Sequence, residues 1–116
     1  VIRCFHDDFD SEFDVLPLKV KEALVAASTL LRTYGPLLGR PHADTLAGSR
    51  HANMKELRFA ADGGAWRAAF AFDPGRRAIT LAVGDKSGVG QRRFYSGLIA
   101  KADKRFTEHL EATRET

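Results

Sequence analysis

"MKELRFAADGGAWRAAFAFDPGRRAITLAVGD", residues 54–85, decides the fold. Leu57 and Phe59 alternate with Glu56 and Arg58. In the next run Trp66, Phe70 and Phe72 fall on one side and Arg67, Ala69 and Ala71 on the other. In the third, Ile79, Leu81 and Val83 alternate with Ala78, Thr80 and Ala82. Alternation with a period of two marks a strand with two different faces. The runs are separated by Asp62-Gly63-Gly64 and Asp73-Pro74-Gly75, short breakers suited to hairpins. Three antiparallel strands in a meander are therefore expected.

Outward from this block the periodicity changes. Leu16, Val20, Leu24, Ala27, Leu31 and Tyr34 recur at helical spacing, with Pro17 suited to the first turn and Gly35-Pro36 to the stop. After Gly90, Phe94, Leu98, Ala102, Phe106 and Leu110 stand four apart and predict a second helix. "IRCF" near the start is a β-prone run, "HDDFDSEFD" reads as an acidic turn, and "LLGRPHADTLAGSRHAN" as a long connection. The order is β, α, three antiparallel strands, α: an α+β fold, its helices packed on the bulky face of the sheet. The small-residue face, with Glu56, Arg58 and Arg67, is either the floor of a concave site or the place where a helix approaches closely.

The 116 residues suggest one domain, 1–116, able to bury a core without staples. The single cysteine, Cys4, rules out an internal disulfide and fits a reducing compartment. No apolar run approaches a membrane span, and the acidic start is unlike a signal peptide, so a cytoplasmic protein with no membrane partner is expected. The formal charge is +3, and Lys86, Arg92, Arg93, Lys101, Lys104 and Arg105 stand against Asp103 alone in one stretch. Such a segment either tracks a polyanion or forms a solvated helix face.

Familiar nucleotide and metal chemistries do not fit. In "GDKSGVGQRRFY", residues 84–95, the lysine precedes the later glycines, which is the wrong order for a P-loop. The stretch leaves a hairpin meander, where a Rossmann fingerprint needs a βαβ unit. His6, His42, His51 and His109 lack metal-ligand spacing, so neither a metal nor another cofactor is expected. His109 reads as a surface residue and His6 as a turn residue. No Gly-x-Ser-x-Gly elbow is present. Arg58, Arg67, Lys86 and Tyr95 remain, converging from neighbouring strands and the start of the last helix. Guanidinium forks match phosphate geometry, and cleavage of RNA by its own 2′-hydroxyl needs charge stabilisation more than a metal.

"GRPHADTLAGSRHANMKELRF", "WRAAFAFDP" and "AVGDKSGVGQRRFY" resemble the HigB-like branch of the RelE/ParE toxins of type II toxin–antitoxin systems. The resemblance implies a microbial RNase-like fold, an antiparallel sheet with an N-terminal and a C-terminal helix. It implies a ribosome-dependent mRNA endonuclease that inhibits translation, metal-independent, with 2′-hydroxyl attack giving a 2′,3′-cyclic phosphate. The implied partners are the ribosome, mRNA and a cognate helix-turn-helix (HigA-like) antitoxin, with operator DNA reached only through that antitoxin. Arg67 matches the arginine that contacts the scissile phosphate. Lys86 matches the candidate acid for the leaving 5′-oxygen. Tyr95 matches a tyrosine that orients the RNA. Glu56 and Arg58 stand where the best-known relative has Lys-x-Lys, so the general base is open: Glu56 or His51, with a salt bridge to Arg58 or Arg67 the alternative for Glu56 and a loop hydrogen bond that for His51. Arg92 and Arg93 are expected at the RNA or ribosome backbone, Lys55 at the rim on the opposite face from Arg58, and Phe94 in the core, with stacking on the RNA its alternative. Arg67→Ala, Lys86→Ala and Tyr95→Ala are each expected to relieve toxicity with the fold intact. A gyrase-inhibiting ParE-like protein and an inactive binding module keep the same fold and remain alternatives.

Overall fold

The computed structural model describes residues 2–114, excepting the side chains of residues 2–4. The elements are β1 (Ile2–Phe5), α1 (Asp7–Asp14), α2 (Leu18–Tyr34), a 3₁₀ turn (Gly35–Leu37), β2 (Ala43–Thr45), β3 (Lys55–Ala61), β4 (Gly64–Phe72), β5 (Arg77–Asp85) and α3 (Gln91–Arg114). The five strands form one sheet in the order β1-β5-β4-β3-β2. The β2–β5 pairs are antiparallel, and β1 lies parallel to β5. This is the expected α+β architecture around the expected meander.

Two segments differ from their sequence reading. The acidic "turn" is a helix, α1. His6 caps it, its Nδ1 accepting from the Asp8 N–H at 3.1 Å. Asp7, Asp8 and Asp10 fill its first turn, where negative charge complements the helix dipole. Phe9 and Phe13, four apart, pack with Phe5 at centroid distances of 4.9 and 5.0 Å. The acidic composition hid an aromatic stripe at helical spacing. The long connection also holds a strand: β2 pairs with Lys55–Leu57 of β3.

The helices do not share one face. α1 and α2 cover Leu57, Ala68, Phe70 and Ala78, whereas α3 covers Ala69, Ala71, Ile79, Leu81 and Ala82. The alanine face is thus where a helix approaches closely. The reason lies in the cross-strand partners. Phe72 stands beside Ala78, and Ala71 beside Ile79, so each face alternates large with small. A bulge sets Ala69 opposite Ala82 but Phe70 opposite Thr80. Leu81 and Ala82 consequently both contribute to the α3 side, and Val83 turns to the α2 side, against strict alternation.

In α2, Val20, Leu24 and Leu31 are buried as the spacing predicts. Pro17 stands just outside the helix as its N-cap, and Tyr34 is exposed. Leu98, Ala102 and Phe106 are the buried stripe of α3. Arg105, 9% exposed, ties the helices and sheet together. Its Nη1 donates to Leu81 O at 2.8 Å and to Glu12 Oε1 at 3.0 Å.

That hydrogen bond from Arg105 holds the Glu12 carboxyl below its ordinary value; burial opposes it, and the charges of Arg105, Lys101 and His6 add to it. A depressed carboxylate pKa contributes stability that is present above the unfolded value, about 4.3, and is lost as pH falls through the folded value. Glu12→Gln is therefore expected to lose less stability than the wild type between pH 5 and the acid limit of folding. Urea denaturation at a series of pH values checks this. Parallel curves for the two proteins would show that the pair contributes nothing.

Candidate nucleic-acid interface

The sheet brings the sequence-selected residues together unevenly. Arg58 and Arg67 are directly opposite one another on β3 and β4. Two like charges so placed repel, and Glu56, two residues from Arg58 on the same face, compensates one of them. The Arg67 Nε lies 3.3 Å from Glu56 Oε1, and Arg67 Nη1 donates to Trp66 O at 2.8 Å. The Nε–H is not aligned for a hydrogen bond and has no other partner among the described residues. Tyr95, in the first turns of α3, donates its hydroxyl to the same Glu56 Oε1 at 2.8 Å. Glu56 and Arg67 are 6% and 7% exposed. Burial raises the Tyr95 pKa, reinforced by the bond to Glu56 and opposed by Arg67, so the phenol stays protonated and acts as a donor.

Beside the buried Glu56–Arg67 pair opens a cleft of about 960 Å³, lined by Glu56 and the half-buried Tyr95 together with Arg58, Lys86 and Arg92. Among the described residues none of these three cations makes a side-chain hydrogen bond or ion pair. Arg40 and Asp44, also on the cleft, neutralise one another, Arg40 Nε donating to Asp44 Oδ2 at 2.9 Å. The uncompensated charge of the cleft is thus positive. Lys86 is held as a continuation of the β5 edge, its backbone N–H bonding Ala65 O at 2.9 Å. Asp85 stiffens the turn: its Oδ1 accepts from Ser87 N at 2.9 Å and Ala65 N at 3.1 Å. Gly88, at φ +74°, lets the chain reverse towards α3. Gly84 admits the Phe94 ring so closely that a Cβ there would stand 2.9 Å from it. Phe94 is partly buried against the α3-side core, as expected.

Arg67, expected at the phosphate, is not among the residues lining the cleft; it lies beneath, with one edge on a shallow neighbouring groove. His51 is directed elsewhere, its Nε2 3.0 Å from Thr107 Oγ1 and its ring edge-on to Phe106. Lys55 points to the opposite face and donates to Pro36 O at 3.3 Å. Arg93 is exposed, outside the cleft lining. His109 is no free surface residue: its Nε2 lies 2.9 Å from Asp73 Oδ2, a carboxylate also held by Arg77. His6, Asp8 and Glu108 offer ligand atoms within 4.8 Å of one another, a grouping that sequence spacing conceals because α1 and α3 meet there.

Thr45–Gly48, Gln91, Ser96, Ile99 and Ala100 also line the cleft, and reading the sequence did not single them out. For those on α3 the signal was present: Arg92, Ser96 and Ile99 share a face with Tyr95. The first turn of α3 carries Arg92 and Arg93 and no acid. Cations at the positive end of a helix dipole destabilise it by about 0.3–1 kcal/mol each, a local cost that a polyanion partner would offset. Arg92→Glu is accordingly expected to raise the melting temperature by a few degrees at low salt while weakening the binding of a polyanion. A lowered melting temperature would show that Arg92 supports the fold.

An α+β protein with a cationic cleft beside a buried Glu–Arg pair capped by a tyrosine is what fold and site define. No helix of the described residues is long and apolar enough to cross a membrane. Residues 11–107 match the family described as Phage derived protein Gp49-like (DUF891), and the chain belongs to that family. It is 47% identical over 96 residues to "Putative toxin HigB2" of Mycobacterium tuberculosis (strain ATCC 25618 / H37Rv), across 82% of this chain and 47% of that protein. It is also 47% identical over 83 residues to "Putative toxin HigB3" of the same strain, across 72% of this chain and 70% of that protein. The chain spans about half the length of the first relative. Its likeness to HigB, implied by its motifs, is thereby shown. No solved structure gives a significant match.

Proposed function

We propose that this protein is the toxin of a type II toxin–antitoxin pair and acts in the cytoplasm as a ribosome-dependent mRNA endonuclease. The observation that carries the reading is the cleft where Arg58, Lys86 and Arg92, unpaired among the described residues, converge beside Tyr95 and Glu56. The relatives' names support the toxin role. In the reaction proposed, the 2′-oxygen attacks the adjacent phosphorus, the P–O5′ bond breaks, and a 2′,3′-cyclic phosphate and a 5′-hydroxyl result. Arg58 stabilises the charge that builds on the phosphoryl oxygens. Lys86 gives a proton to the departing 5′-oxygen. Glu56 is the candidate acceptor for the 2′-hydroxyl proton. Arg67 and Tyr95 act through it, fixing one of its oxygens and leaving the other to the cleft. The partner is a helix-turn-helix, HigA-like antitoxin, which alone contacts operator DNA.

Brief induction followed by primer-extension mapping of mRNA 5′ ends tests this. New ends inside translated frames, lost when ribosomes are blocked from the message, are expected. Gyrase-type DNA breaks without RNA ends would assign a ParE-like function, and neither signal would leave a binding module.

A further inference from the structure

The cleft is larger than a phosphate needs, and its lining joins a cationic group of residues to a more apolar one from other segments. Arg58, Lys86 and Arg92 come from β3, the turn after β5 and the first turn of α3. Leu46, Ala47 and Gly48 come from the loop after β2, and Ile99 and Ala100 from the third turn of α3, with the hydroxyls of Thr45 and Ser96 beside them. These two segments touch: a Cβ on Gly48 would lie 3.8 Å from Ile99 Cδ1. From Arg92 to Ile99 is about 10 Å along the helix axis, the reach of one nucleotide from phosphate to base.

This second half is built rather than incidental. The loop is pinned to α3 by Asp103, 8% exposed, which accepts from the Ser49 hydroxyl and from Arg50 N at 3.1 Å. Leu46 N bonds Met54 O at 3.0 Å and closes the loop at its base. A wall held in this way binds a flat ligand without first having to be ordered.

We infer that the Leu46–Gly48 and Ile99–Ala100 half of the cleft is a nucleobase subsite, so that the cleft takes a nucleotide whole. The phosphate lies on the cations. The base lies against the Ile99 side chain and the backbone of residues 46–48, an apolar contact of the kind that holds unstacked bases, with Thr45 and Ser96 within reach of its polar edge. The inference rests on the proposed RNA-directed function and adds to it the residues that choose the base.

Calorimetric titration of the protein with the four nucleoside 5′-monophosphates and with ribose 5-phosphate tests it. At least one nucleotide is expected to bind about tenfold or more tightly than ribose 5-phosphate. Ala100→Gln, at an exposed helix position, and Ile99→Ala should each shrink that gap and leave ribose 5-phosphate binding unchanged. Equal affinities for nucleotides and ribose 5-phosphate, or a gap that survives both substitutions, would overturn the subsite and leave the phosphate-binding reading standing. Binding of neither class would overturn both.

Discussion

Arg67→Ala is expected to destabilise the protein by about 3–5 kcal/mol, a large share of the roughly 5–15 kcal/mol that holds a protein of this size folded. Glu56 and Arg67 are both more than nine-tenths buried and 3.3 Å apart. Removing the guanidinium leaves a largely buried carboxylate whose one side-chain hydrogen bond among the described residues is that from the Tyr95 hydroxyl at 2.8 Å. Urea denaturation reads the effect directly. Pairing Arg67→Met with Glu56→Gln should recover much of the loss, because the orphaned charge goes and an amide still accepts from Tyr95. If Arg67→Ala stays within 1 kcal/mol of wild type (roughly the average cost of a point substitution), the charge of Glu56 is compensated in another way and the pair is not structural. The expectation that this substitution would spare the fold is thus replaced. Lost stability alone can relieve growth arrest, so relief in Arg67→Ala would not by itself identify a phosphate contact.

Arg58→Ala and Lys86→Ala are the informative substitutions. Each is expected to lower the cleavage rate of translated mRNA by about 10²–10³, the usual cost of removing one preorganised charge or proton donor. Each should leave stability within about 0.5 kcal/mol. Neither side chain makes a hydrogen bond or ion pair among the described residues, and Lys86 keeps its place in the ladder through its backbone N–H. The measurement is the appearance of defined mRNA 5′ ends over time, alongside a melting curve for each variant. Full cleavage by both variants would remove the cleft from the chemistry. A matching fall in stability would make the two residues structural.

Much of the fold was legible because it rests on local patterning. The alternation in residues 54–85 and the two glycine turns specify a meander whatever surrounds it. The four-residue spacing of Leu98, Ala102 and Phe106 specifies the buried stripe of α3. α1 was missed because its four aspartates dominate the composition, although Phe9 and Phe13 already stood one turn apart. β2 was missed because three residues carry too little periodicity to read. It exists because β3 offers an edge with which to pair.

The site divides in the same way. The sequence by itself determined which residue types could handle a phosphodiester, and that Arg58 and Arg67 would share one face of neighbouring strands. Only the tertiary structure decided that they do different work. Glu56 lies beside Arg67 and beneath Tyr95, so one arginine is drawn into a buried pair and the other is left to the cleft. Only the packing of α3 on the alanine face, and not on the phenylalanine face, set Tyr95 against Glu56 of β3 and Ile99 against the loop after β2. The physical reason is that alternation assigns a residue to a side of a strand. What stands across from that side depends on how large and small residues from distant segments fit together, and no single segment records that.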